Sequence, residues 1–181
     1  MAGLIAGAVG CTPRSETPGL ALVKEANRHV GEPLKDQVSQ IRSEKSIGSL
    51  TPTVWYVVYY DPDATFKATE VKMGAGQKLE VTRPMRVLEM LGDNKPLDRS
   101  KLKIDSDQAI RTAIAEPLLK PLKLTATQLW LQHGDTGPVW KVKLWAAKLR
   151  NPAEDADVGE VLIASDSGKV IRSDLHINNV D

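Results

Sequence analysis

Pro52-Thr-Val-Trp-Tyr-Val-Val-Tyr59 and Pro138-Val-Trp-Lys-Val-Lys-Leu144 are two versions of one strand, and their recurrence organises the chain. Each has a tryptophan followed by residues that alternate between two faces, the period of a strand with one buried side. Downstream, Glu70-Val-Lys-Met-Gly-Ala-Gly-Gln-Lys-Leu79 recurs as Glu160-Val-Leu-Ile-Ala-Ser-Asp-Ser-Gly-Lys-Val170. Trp55 and Trp140 lie 85 positions apart and Val71 and Val161 lie 90 apart, so the second copy has five extra residues in its connecting loop. Loops absorb such insertions at little entropic cost.

A helical stretch precedes each pair. Asp105-Ser-Asp-Gln108 has the capping-box pattern, and Ala109, Ile110, Ala113 and Ile114 follow at helical spacing, which predicts a helix from Asp107 to Leu119. The first helix is expected from Pro18 to Val30, with Thr17 as cap, proline at its first position and Gly31 at its end. Gln128–His133 and Val139–Ala146 read as strands joined by Gly134-Asp-Thr-Gly-Pro138, and Gly159–Ala164 with Lys169–Arg172 reads as a second hairpin. The expected fold class is α+β, with two tandem units, each a helix packed on an antiparallel sheet of about three to four strands. Residues 1–16 read as a signal and tether, 17–91 as the first unit with a trailing short helix (Pro84–Leu91), 92–104 as linker and 105–181 as the second unit.

Composition bounds the partners. Of 181 residues, 24 are basic and 23 acidic, spread along the chain, which argues against nucleic acid because phosphate neutralisation needs a basic stripe. No run of eighteen apolar residues could span a bilayer as a helix. Cys11 is the only cysteine, so no disulfide forms within the chain. Before it lies a small, apolar stretch, Met1 to Gly10, with no charged residue before Arg14, and after it a Thr/Pro/Ser/Gly-rich tether.

With those residues in view, Ala8-Val9-Gly10-Cys11 resembles the lipobox of bacterial lipoproteins, although Ala8 stands where leucine is usual and the basic segment that normally opens such signals is missing. That resemblance implies cleavage before Cys11, lipidation of its thiol, and a location in the bacterial cell envelope, held to the membrane only through the lipid. The plainer alternative is an apolar terminus with an incidental cysteine. The second copy resembles a PepSY domain through Ala109–Ala113, Trp140-Lys-Val142 and Val161-Leu-Ile-Ala-Ser-Asp-Ser-Gly168-Lys-Val170. The first copy is similar through Trp55-Tyr-Val57 but lacks an aspartate before its turn at Gly74-Ala-Gly76. The resemblance implies an envelope or secreted binding module, associated with peptidase inhibition or regulation, and brings no catalytic residues.

Alternation assigns the strand faces. Trp140, Val142 and Leu144 share a core face with Leu129 and Leu131 opposite, leaving Trp130 outside beside Lys141, Lys143 and Trp145. Stacking of Lys141 or Lys143 on Trp130 contributes roughly 0.5–1 kcal/mol on such a face. In the first copy the core face is Trp55, Val57 and Tyr59, and the outer face is Tyr56, Val58 and Tyr60 where the sister copy has lysines. Something is expected to cover so apolar a face. The short helix around Val87, Leu88 and Leu91, or the second unit, is one candidate cover. A protein or peptide partner is the other, in which case Tyr56, Val58, Tyr60, Trp130 and Trp145 form the binding surface.

Catalytic machinery is not legible. His29, His133 and His176 have no metal-ligand spacing, and no phosphate loop, nucleophile elbow or dinucleotide fingerprint is present. The acidic stretches Asp61–Thr65 and Glu154–Glu160 lack calcium-loop spacing and are read as hairpin loops. The sequence therefore predicts a non-enzymatic, envelope-anchored binding or regulatory module with no cofactor and no metal. Two alternatives remain beside it: a carboxylate-dependent hydrolase using Asp61, Asp63, Asp155 and Asp157, and a purely structural envelope lipoprotein.

Overall fold

The computed structural model describes residues 17–84 and 95–181. Cys11 and the expected helix residues Val87, Leu88 and Leu91 lie outside the described residues. The strands are β1 (Val38–Ser43), β2 (Val54–Tyr60), β3 (Ala68–Gly74), β4 (Gln77–Thr82), β5 (Leu124–His133), β6 (Pro138–Ala147), β7 (Asp155–Ala164) and β8 (Val170–Leu175), with helices α1 (Leu22–Ala26) and α2 (Ser106–Ile114).

The expectation of two helix-on-sheet units is overturned. All eight strands form one antiparallel sheet in the order β4-β3-β2-β1-β5-β6-β7-β8. The joint is β1 against β5, the first strand of each meander, with Ile41 opposite Leu131 and Arg42 opposite Trp130. A free meander would expose the backbone edge of its first strand to solvent, and pairing the two first strands removes both edges together. One core cluster accordingly runs through both repeats, including Trp55, Val57 and Tyr59 with Trp140, Val142 and Leu144. These six side chains are the faces assigned by alternation, and each is buried.

Side chains and one further backbone bond extend the joint beyond the ladder pairs. Ser43 Oγ accepts from Leu129 N–H at 2.9 Å, and Gln128 Nε2 donates to the Ser43 carbonyl at 3.2 Å. Further along, Ser46 N–H donates to the Thr127 carbonyl at 2.8 Å, and Ser46 Oγ accepts from Thr127 N–H at 2.9 Å.

Both helices are shorter than the periodicity predicts. α1 occupies Leu22–Ala26 and passes into a 3-10 turn at Asn27–His29, while α2 ends at Ile114 and a separate 3-10 turn spans Pro117–Leu119. The proline at 117 explains the second break, because it disfavours helical geometry at Glu116. The Asp105/Gln108 capping box is present as predicted. Thr17 is not the cap of α1. Instead, Asp105 reaches across from the other repeat and accepts from Leu20 N–H at 2.8 Å and Ala21 N–H at 3.2 Å, while Ser106 Oγ accepts from Gly19 N–H at 2.9 Å. One carboxylate thus caps α2 and holds the turn that leads into α1.

The paired tryptophans meet beneath this cap. A Cβ at Gly19 would stand 3.0 Å from the Trp55 ring and 3.2 Å from that of Trp140, so the chain passes close over both. Each indole N–H finds a backbone carbonyl, Trp55 at Pro52 and Trp140 at Ile104, both at 3.1 Å. The described part of the expected linker is therefore packed: Leu97 is buried, its N–H donates to the Val38 carbonyl, and the Lys103 and Ile104 N–H groups donate to the Ser165 carbonyl.

Burial holds the Asp105 carboxyl above the usual carboxylate range, outweighing its bonds from the Leu20, Ser106 and Ala21 N–H groups. Asparagine keeps the accepting oxygen and drops the charge. Asp105→Ala is expected to lower the unfolding free energy by about 2 kcal/mol, the upper end of cap losses, and Asp105→Asn to recover most of it. Urea titration of the three proteins checks this, with the midpoint moving and the slope unchanged. Equal midpoints for wild type and alanine variant would show that the carboxylate does not hold α1.

Candidate functional site

Both helices pack on the face of the sheet that carries the tryptophan pair, so the other face is where a site should be sought. Along one cross-strand row of that outer face the register places Lys72 opposite Tyr56, Tyr56 opposite Arg42, Arg42 opposite Trp130, and Trp130 opposite Lys141. Cation and aromatic alternate over five strands. Arg42 lies 4.0 Å and Lys72 5.1 Å from the Tyr56 ring centre, and Lys141 lies 4.5 Å from that of Trp130. A second cluster surrounds Trp145, with Lys45 at 4.6 Å and Lys143 at 5.4 Å. The stacking foreseen on Trp130 is supplied by Lys141, while Lys143 turns to Trp145.

The repeat explains the alternation. Tyr56 and Lys141 occupy the same place in the two copies, one residue after the paired tryptophans, and their β1 and β5 partners are Arg42 and Trp130. The first copy therefore has tyrosine then arginine where the second has lysine then tryptophan. Because β1 and β5 run antiparallel, this exchange produces an unbroken cation–aromatic sequence across the joint. Identical copies would have set like residues side by side at the centre.

Carboxylates hold the cations. Arg42 pairs with Glu70 at 2.7 Å, Lys72 with Glu44 at 3.0 Å, Lys143 with Asp157 at 2.7 Å and Lys45 with Asp155 at 2.9 Å. The Tyr56 hydroxyl donates to Glu44 at 2.6 Å. That bond, and then Lys72, holds the Glu44 carboxyl below the usual range, while burial and then Glu44 push the Tyr56 phenol up. The face is thus close to electrically balanced, with most of its charge tied within the chain.

The five residues expected to form a partner surface are not equivalent. Tyr56, Tyr60, Trp130 and Trp145 are half-buried on the outer side. Val58 is fully buried with Ala68, so it offers nothing to a partner. Sequence reasoning missed Arg42, Glu44, Lys45, Glu70 and Lys72. Arg42 lies in Val38-Ser-Gln-Ile-Arg-Ser43, which has only two large aliphatic residues and little strand signal. No protein-family model, curated protein or solved structure matches this chain.

Of the carboxylates considered for a hydrolase, Asp61 and Asp63 follow β2 while Asp155 and Asp157 lie four strands away in β7. Asp61 is 1% exposed and accepts from Thr69 Oγ1 at 2.7 Å, from Asp63 N–H at 3.0 Å and from Arg83 at 3.2 Å. Burial pushes its carboxyl up, but these donors together outweigh burial and leave it below the usual range, the reverse of what a general acid needs. Asp155 and Asp157 lie in β7, not in a hairpin loop, and face Lys45 and Lys143. Among the described residues no group of three or more His, Cys, Asp or Glu side chains is placed to hold a metal ion. No described helix is long and apolar enough to cross a membrane.

Because the folded Asp61 carboxyl lies below its ordinary value of 3.8, its stabilisation is fully present above that pH and is lost as the pH falls through the lower folded value. Asp61→Asn is expected to cost about 2 kcal/mol at neutral pH, typical of hydrogen bonds to a charged acceptor. Thermal melts of both proteins from neutral pH downward should converge in the acid range. A constant gap at all pH values would rule out the ionised carboxylate as its source.

Proposed function

We propose that this chain is a non-enzymatic binding or regulatory module of the bacterial cell envelope that engages a protein or peptide partner through the outer face of its sheet. The observation that carries this reading is the row Lys72–Tyr56–Arg42–Trp130–Lys141, with Trp145 beside it. Tyrosine, tryptophan and arginine dominate the energetics of protein interfaces, because they bring large contact area and a polar handle at low entropic cost. Here they are half-exposed, fixed by stacking and ion pairs, and set on strands rather than loops. Rigidity of this kind lowers the ordering cost of association.

Internal charge pairing favours a protein over a polyanion. A surface whose lysines and arginines already have carboxylate partners offers little counterion release to nucleic acid. The lipobox-like start and the PepSY-like motifs support the envelope as the compartment, with Cys11 as the lipid attachment point.

Envelope extract passed over the full-length, acylated protein is expected to yield a discrete protein partner. Trp130→Ala combined with Trp145→Ala should weaken its retention by about tenfold or more, the effect of losing interface aromatics, with a melting midpoint close to wild type. Equal retention by wild type and variant overturns the assignment of the site. Retention that falls only in step with the melting midpoint would reassign these rings to packing.

A further inference from the structure

Among the described residues the sheet ends in two edges with no further strand, β4 and β8. An exposed edge strand is a template for another chain, and proteins normally blunt it with charge, bulges or proline. On β8, residues Val170–Asp174 are all exposed, with Ile171 at 53%. Its charges, however, are arranged to select a copy of the same strand. Arg172 lies opposite Leu162 and Asp174 opposite Glu160 on β7, and those two residues lie opposite Lys141 and Lys143 on β6. Arg172 and Asp174 therefore share the outer face, two residues apart.

We propose that β8 is a homodimerisation edge at which two copies of this chain join antiparallel about Ser173. In that register Arg172 stands opposite the partner's Asp174 twice, on one face, and opposite charges directly across an antiparallel pair attract. Just outside this continuous run, the bulged Ile171 comes beside the partner's Leu175, also twice, which covers its exposed aliphatic chain. The contact is self-complementary, so two copies close it and growth stops there. Within one copy the two charges are only lightly engaged. Arg172 is 3.5 Å from Glu160 and 62% exposed, and Asp174 is 3.4 Å from His176 and 57% exposed.

The other edge is less suited, although it is the equivalent strand. Each edge strand has one extra residue relative to its neighbour, Leu79 in β4 and Ile171 in β8. In β4 this bulge falls inside the strand, with Gln77–Lys78 on one side and Glu80–Thr82 on the other. In β8 it falls near the start, so Arg172–Leu175 runs in continuous register along β7. Bulges disrupt pairing locally. The continuous edge is the one that can take a partner.

Sedimentation equilibrium of the full chain, across micromolar to millimolar protein, tests this with a charge swap. Wild type is expected to show a concentration-dependent monomer–dimer equilibrium. Arg172→Asp or Asp174→Arg alone sets like charges opposite each other and should weaken the dimer by about tenfold. The double variant R172D/D174R restores both pairs and should return close to wild-type affinity. Ile171→Lys, which alters the edge outside the charge pair, should also weaken it. Circular dichroism at dilutions where every protein is monomeric checks that all remain folded. A wild type that stays monomeric throughout overturns the proposal, as does a double variant no better than the singles. Growth into larger species also overturns it, because that places the contact between β4 and β8 of successive copies.

Discussion

The antiparallel pairing of β1 with β5 is the constraint on which the molecule rests. Few backbone rungs form there, yet everything else is referred to it: the single core, the shared carboxylate, and the order of residues across the outer face. A four-stranded meander with one short helix has little apolar surface to bury on its own. Two of them, joined along their first strands, make a sheet wide enough to cover a continuous core, and among the described residues the last strands are its edges. Ser43 and Ser46 matter because they carry the joint past its last ladder pair.

Duplication followed by divergence explains the outer face better than either copy does alone. Comparing the copies suggests that the first has lost a cationic surface and gained an aromatic one. Seen across the joint, the difference is an exchange of places. Tyr56 with Arg42, and Lys141 with Trp130, are the same two residue types in opposite order, which is the arrangement that alternates when the copies meet head to head. Each ring then has a cation against it, and each cation is stripped of part of its water by a ring. This mutual covering keeps a row of large side chains in fixed positions without burying them.

Much of this was legible in the sequence, and the failures share one cause. The tryptophan repeat, the core faces of β2 and β6, the capping box at Asp105 and the stacking of a lysine on Trp130 all rest on short-range pattern, which a single chain displays. The merged sheet does not. Its decisive strand, β1, is Val-Ser-Gln-Ile-Arg-Ser, whose polar residues serve the joint and so erase the alternation that would reveal a strand. Ser39, Gln40 and Ser43 are buried there despite their polarity. The Asp105 carboxylate looked like a cap for its own helix, and nothing local to residues 19–21 indicated that it would hold the turn into a second one. Val58 stood on a face expected to be covered, and alternation gives such a face but not what lies over it.

The carboxylate shared across the repeats also bears on how the chain is made. Synthesis releases the first repeat before residue 105 and before β5, so the turn into its helix lacks the carboxylate that holds it and one side of its first strand lacks a neighbour. The first half therefore emerges as an unfinished piece whose completion waits for the second.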